Sequence, residues 1–351
     1  MKTKYLIVGA GLAGSTCAYL LKRAGEDVVL LERQDVHRKA KLCAGLVTPR
    51  AEQMLHRIFG SAVDDIMRTR FDAMRCHVGS LTVDLHDIEM KSVQRPELDA
   101  FALQAYLDAG GTLVDRFSLV ALDTACKTVE GLDAERATLS FEYDCLIAAD
   151  GALSSVRRML TGHAPDAVLM LETEIDHVGL PLIMDYDARF FGYSWYAPVG
   201  ERAKLGCACY RNPKGTAEIL EEQLAQFAAR AGVEYGPVRG AFCPTGSDVL
   251  LHRGSCYFLG DAASLVCPPS GEGIYYALYS AWQLARALTA SASYPALMQR
   301  EVSKIKRQYR TRNLFFNRAF TTVALNAAKN TPYGAERAVK FALRHFAGYE
   351  G

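Results

Sequence analysis

The chain has 351 residues, half of them hydrophobic and 23% charged. That excludes a disordered chain and exceeds what one small core needs, so two domains, or one large domain with an insertion, are expected. The formal net charge of +1 offers no field for nucleic acid, and no apolar run approaches the ~18 residues of a membrane span.

The N-terminus runs straight into "KYLIVGAG", which reads as a strand and its turn and not as a signal peptide. The ten cysteines include no CxxC pair, which suits a reducing cytoplasm. Cys207 and Cys209 form a CxC; residues two apart on a strand share a face, so the pair reads as core packing, and no metal site is expected.

"KYLIVGAGLAGSTCAYLLKRAGEDVVLLER" predicts β-α-β: a strand Tyr5–Val8, a helix from about Leu12 to Arg23, and a strand Val28–Leu31 ending at Glu32. Gly9 permits the tight turn. Gly11 and Ala13 leave backbone room for a pyrophosphate at the helix start, and Gly14 lets helix and strand pack closely. Glu32, followed by Arg33, stands 18 residues past Gly14, where an acid accepts hydrogen bonds from ribose hydroxyls and disfavours a 2′-phosphate. The motif fits FAD or NAD equally.

Further along, "RCHVGSLTVDLHDIEMKSV" alternates as antiparallel strands, and "QRPELDAFALQAYLDAGGTLVD" is a helix returning to the main sheet. In "YDCLIAADGALSSVRRML" a strand stops at Asp150-Gly151 before a helix from about Ser154. "LPLIMDYDARFFGYSWYAPV" holds six aromatics and reads either as a plain sheet core or as a cavity wall. "AEILEEQLAQFAARAG", 217–232, is an amphipathic helix stopped by Gly232.

"YFLGDAASLVCPPSGEGIYYAL" repeats the strand-then-Gly-Asp design at Gly260-Asp261. Asp261 is placed for a polyol such as the ribitol of FAD. A helix starting near Gly271, with Gly273 and Ile274, would aim free N–H groups at the pyrimidine end of a flavin, and Pro268 stiffens its entry. These corners select FAD. From Arg300 to Arg344 there are eleven Lys/Arg and two Glu. This segment reads either as a basic amphipathic surface for an anionic membrane or as a helical cap with solvated cations.

The order GxGxxG, DG, GD resembles the flavoprotein superfamily of aromatic hydroxylases, from Met1 to about Leu288. Within it, "KLCAGLVTPR" (Lys41, Cys43, Ala44, Gly45, Pro49), "GYSWYAPVGERAKLGCACY" (Gly192, Tyr193, Trp195, Pro198, Gly206), "GDAASLVCPPSGEGIYYAL" and Arg95 with Asp99 in "RPELDAF" are similar to the geranylgeranyl reductase family. The chain departs from that pattern at Ala44, Ala197, Ala208 and Ser264.

The resemblance implies an α/β protein with three parts. A discontinuous Rossmann-like FAD-binding domain takes 1–75, 96–165 and 246–295. An antiparallel β-sheet substrate domain takes 76–95 and 166–245, and a C-terminal helical segment takes 296–351. It implies reduction of prenyl or other long apolar alkenes with electrons from a ferredoxin- or NAD(P)H-linked donor. The implied cofactor residues are Gly9, Gly11, Ala13, Gly14, Glu32, Arg33, Lys41, Cys43, Ala44, Gly45, Arg95, Asp150, Gly151, Gly260, Asp261, Pro268, Gly271, Gly273 and Ile274. Tyr193, Trp195, Pro198 and Gly206 would face substrate, with Cys43, Gly271 and Gly273 at the reacting end. Cys43 reads as a small buried hydrophobe or as a sulfur that tunes the flavin. A prenyl substrate would place the protein in the cytoplasm, peripheral at the inner membrane face through 300–344. A monooxygenase or halogenase on the same fold, and a non-catalytic flavin redox sensor, remain alternatives.

Overall fold

The computed structural model describes residues 1–78, 81–187, 190–210 and 215–317, together with 334, 336, 337, 339 and 340. Two sheets organise them. The first runs in the order His252–Arg253, Cys256–Phe258, Thr138–Ala148, Lys2–Val8, Val28–Leu31, Thr112–Val114. From Cys256–Phe258 onward every pairing is parallel. Parallel strands covered on both faces need apolar side chains on both, so Val28–Leu31 reads VVLL without alternation and is wholly buried. Ser118–Asp123 and Thr128–Leu132 continue from Thr138–Ala148 as an antiparallel meander.

Helix Leu12–Arg23 packs against helices Arg95–Asp108 and Ile274–Thr289. The first of these begins where Gly11 ends the turn, as its spacing predicts. Helix Pro49–Phe59 starts at Thr48, whose hydroxyl accepts the Ala51 N–H, with Pro49 in the first turn.

The second sheet runs Arg239–Pro244, Ala167–Asp176, Arg202–Cys209, Gly192–Val199, Leu182–Asp187, Met67–Val78, Leu81–Val93, Leu46–Val47. It takes up the chain from Met67 rather than from 76. The expectation of an antiparallel sheet needs one correction. Leu182–Asp187 pairs with Met67–Val78 in parallel, which makes the sheet mixed. Those two strands belong to separate excursions from the first sheet. No hairpin joins them, so no tight turn imposes the antiparallel direction.

Alternation gives the second sheet two different faces. Helix Thr216–Ala231 covers one, packing Leu220, Leu224 and Phe227 against Tyr196, Leu205, Cys207 and Cys209. The Cys207 thiol donates to the Leu220 carbonyl at 3.2 Å, so the CxC is core. The other face looks toward the first sheet. Helix Tyr294–Phe315 follows, and no helix among the described residues is long and apolar enough to cross a membrane. Most of the expected basic segment beyond 317 lies outside the described residues.

Candidate functional site

A cavity of about 1020 Å³ runs between the strand ends of the first sheet and the open face of the second. At one end the wall is backbone. Gly9 has φ +105°, and a Cβ there would lie 2.4 Å from the Ala149 carbonyl oxygen. A Cβ on Gly14 would lie 1.9 Å from the Gly9 oxygen, so only glycine lets helix and strand meet. Gly11 faces open space and caps its helix with no side chain, leaving the first N–H groups free toward the cavity. Ala13 and Arg33 also line this end.

Glu32 is buried and accepts the N–H groups of Ala10 and Gln34, each at 2.9 Å. Burial pushes its carboxyl upward, but the Lys39 ammonium and these N–H bonds outweigh that and hold it below the ordinary carboxylate range. Lys39, which pairs with Glu32, was not foreseen; its Nζ is 3.9 Å from where a Gly11 Cβ would lie. Phe117, Ser118 and Leu119 close this end from the meander. Asp150 lines it too, but its carboxylate is spent on the chain, accepting from Ser154 Oγ at 2.5 Å and the Val156 N–H at 3.1 Å to cap helix Ser155–Thr161. Gly151, at φ +82°, turns the chain beside it.

In the middle, Asp261 meets the Lys41 ammonium at 2.6 Å, across 220 residues of chain. The helix expected near Gly271 begins at Ile274, with Gly273 as a cap that no side chain fills. Gly271 turns the loop at φ +69°, and the Tyr193 hydroxyl occupies the space a Cβ would need, 2.8 Å away. That hydroxyl donates to the Ser270 carbonyl at 2.6 Å. Thr48 and Arg50 hold Glu272, and Arg50 also lies over the Tyr275 ring, so the loop is pinned from behind. Buried Arg95 pairs with Asp99 at 2.9 Å on the same wall. Cys43 and Ala44 line the cavity; the Cys43 N–H donates to Glu172 Oε1 at 3.1 Å. Gly14, Gly45, Gly260 and Pro268 do not line it but stand behind the wall. A Cβ on Gly45 would fall 2.1 Å from the Val93 oxygen.

The far end is a chamber made of side chains. Strand register puts Arg239, Glu172, Gly206, Trp195 and Met184 in one row across five strands. Ala241, Met170, Ala208, Tyr193 and Tyr186 form the next row. Met74 and Met90 complete the lining. Tyr193 and Trp195 thus face the cavity as expected. Pro198 does not: it is an odd number of residues from both and points to the helix side with Tyr196. Gly206 is on the cavity face but lies under the indole, where a Cβ would be 2.2 Å from Trp195 Cζ2. The four methionines were missed because each sits on a different strand, and only register brings them together.

Free helix-start amides, a carboxylate at a strand end and a second open helix start fit the pyrophosphate, ribitol and pyrimidine end of FAD in that order along one cavity. Fold and site define an FAD-dependent oxidoreductase. The family model described as "FAD dependent oxidoreductase" matches residues 4–92. A menaquinone reductase of Mycobacterium tuberculosis is 29% identical over 324 residues, covering 78% of this chain and 73% of that protein. A geranylgeranyl diphosphate reductase of Rhodobacter capsulatus is 29% identical over 302 residues, covering 79% and 72%. The solved structure of a geranylgeranyl bacteriochlorophyll reductase-like protein from Thermoplasma acidophilum matches with a TM-score of 0.81 at 16% identity, covering 99% of this chain and 97% of that one. Over most of its length the chain is similar to these menaquinone and geranylgeranyl reductases, and its N-terminal part matches the FAD-dependent oxidoreductase model.

Proposed function

We propose that this protein reduces carbon–carbon double bonds of an isoprenoid chain. The observation that carries the reading is the chamber of Met74, Met90, Met170, Met184, Tyr186, Tyr193 and Trp195, continuous with the cofactor end of the cavity. These lining side chains are apolar and aromatic, so the chamber suits the hydrocarbon part of a substrate and leaves a charged head outside. Methionines re-pack around irregular apolar shapes at little cost, which fits a methyl-branched chain. The relatives named for menaquinone, geranylgeranyl diphosphate and digeranylgeranylglycerophospholipid reduction support the same class.

Bound FAD supplies the hydride. Gly9, Gly11 and Ala13 present amides to its pyrophosphate, Glu32 takes the adenosine ribose, and Asp261 with Lys41 takes the ribitol. The open helix start at Gly273-Ile274 lowers the cost of negative charge at the pyrimidine end. Tyr193 braces Gly271, and the aromatic wall excludes water and holds the alkene in place. A ferredoxin- or NAD(P)H-linked donor loads the electrons, and the basic face of 300–317 contacts the membrane that carries the lipid.

The test is anaerobic. Enzyme reduced with dithionite is mixed with menaquinone, geranylgeranyl diphosphate or a digeranylgeranyl lipid, and flavin reoxidation and product mass are followed. Reoxidation with saturation of a double bond supports the reading. A flavin that stays reduced with every lipid, and is reoxidised only when oxygen is then admitted, with a hydroxylated or halogenated product, selects the monooxygenase or halogenase instead.

A further inference from the structure

The chamber face carries a buried carboxylate that the reading above leaves without a task. Glu172 is 4% exposed. It stands in the row of Trp195 and Met184, separated from Trp195 only by Gly206. Oε1 accepts the Cys43 N–H, while Oε2 is buried without a hydrogen-bond partner, as is the Trp195 indole N–H. A buried carboxylate with an orphaned oxygen costs more than a neutral carboxyl in the same place. The charged groups around it are Lys204 and Glu174 on the neighbouring row, Arg239 at the sheet edge and the Cys43 segment above. Lys204 is engaged by Glu174.

We propose that Glu172, which accepts the main-chain N–H of the cavity-lining Cys43, stores the proton that alkene reduction consumes. The proposal rests on the isoprenoid reading for its substrate step. Saturating a double bond takes a hydride on one carbon and a proton on the other. The hydride's two electrons come from reduced FAD, loaded by the external donor. The second carbon's proton comes from the Glu172 store, and the carboxylate left behind recovers a proton from water at the exposed Arg239 edge.

The other titratable groups of this wall are poor stores at neutral pH. Burial drives the Tyr186, Tyr193 and Tyr210 hydroxyls and the Cys243 thiol far up, and raises Cys267 to about 11. Burial lifts Glu172 to about 7, against the pull of Lys204, the Cys43 N–H and Arg239. Negative charge on the reduced cofactor would lift it further, so reduction should draw a proton onto Glu172.

The experiment measures the flavin midpoint potential of the FAD-loaded protein from pH 5.5 to 9, without substrate. The wild type should show a potential that falls more steeply with pH above about 7, where reduction takes up one extra proton. Glu172→Gln, which keeps an acceptor for Cys43 N–H, should remove that steepening. Glu174→Gln removes a neighbouring negative charge and frees Lys204, so it should move the steepening to lower pH; this holds even if Glu172→Gln does not fold. A wild-type profile without the change of slope, the same change in Glu172→Gln, or no displacement in Glu174→Gln would overturn the assignment. A second arm follows reoxidation of reduced enzyme by menaquinone, where Glu172→Gln should be slower by 10-fold or more at pH 6. If no isoprenoid reoxidises the wild type although the potentials behave as described, the substrate reading fails and the proton store stands.

Discussion

The two ends of the cavity are built from different materials. At the nucleotide end the wall is main chain, and its shape depends on the absence of side chains at Gly9, Gly11 and Gly14. At the chamber end the wall is side chain, contributed by residues of seven strands, and its shape depends on which large groups face inward. A backbone wall tolerates almost no substitution and binds one thing. A wall of Met and aromatic side chains can be repacked, and so can change its ligand without changing the fold.

Gly14→Val should separate the two ends most brutally. Its Cβ would sit 1.9 Å from the Gly9 oxygen, with backbone on both sides. The expected outcome is loss of bound FAD and a cost of about 4 kcal/mol or more, read by flavin absorbance and thermal melting. Retention of FAD at wild-type affinity would mean the backbone wall is not the cofactor cradle.

The two ends should also respond to pH with opposite sign. Glu32 is held below the ordinary carboxylate range, so its stabilising contribution is full above about pH 4–5 and is lost as pH falls through its folded pKa. Glu172 is lifted to about 7, so its contribution is full below the ordinary carboxylate value and is lost as pH rises toward and through 7. The second loss is on the order of 3 kcal/mol. Denaturant midpoints across pH 3–9 test both limbs: Glu172→Gln should flatten the upper limb alone and Glu32→Gln the lower.

On the proposed reading, Asp261→Ala removes a charge-assisted partner for the ribitol hydroxyls, worth roughly 1.5–3 kcal/mol. FAD affinity should fall by about 10- to 100-fold in a titration of apoprotein, with the fold intact. Because Lys41 then loses its partner at 2.6 Å, Lys41→Met in the same background should recover little. Unchanged affinity in Asp261→Ala would remove the carboxylate from the cofactor site.

The difference in materials also explains what the sequence made legible. Glycines at fixed spacing after an apolar strand announce a backbone wall, so Gly9, Gly11, Gly14, Glu32 and Asp261 could be read directly. So could Tyr193 and Trp195, which alternate correctly on one strand. Pro198 could not be placed by motif, since alternation turns it to the opposite face. Asp150 lines the cavity as the motif suggests, but its carboxylate also accepts the Val156 N–H, a role no motif announces. Met74, Met90, Met170, Met184 and Glu172 carry no local signal at all, because they meet only once strands far apart in sequence are paired. Lys39 and Arg50 were hidden for the same reason: each is defined by the carboxylate it reaches.

The smallest change tests the independence of the two ends most directly. Met184 faces Trp195 across the Leu182–Asp187 and Gly192–Val199 pair, inside the chamber and away from every glycine corner. Met184→Leu conserves volume, so stability should change by less than about 1.5 kcal/mol. FAD should stay bound at wild-type affinity. The chamber, however, exchanges an adaptable thioether for a branched, stiffer group beside the indole, and reoxidation by the best isoprenoid should slow several-fold while a shorter chain is favoured. If FAD affinity falls in step with substrate turnover, the backbone wall and the side-chain wall are one mechanical unit, and the division drawn between them does not hold.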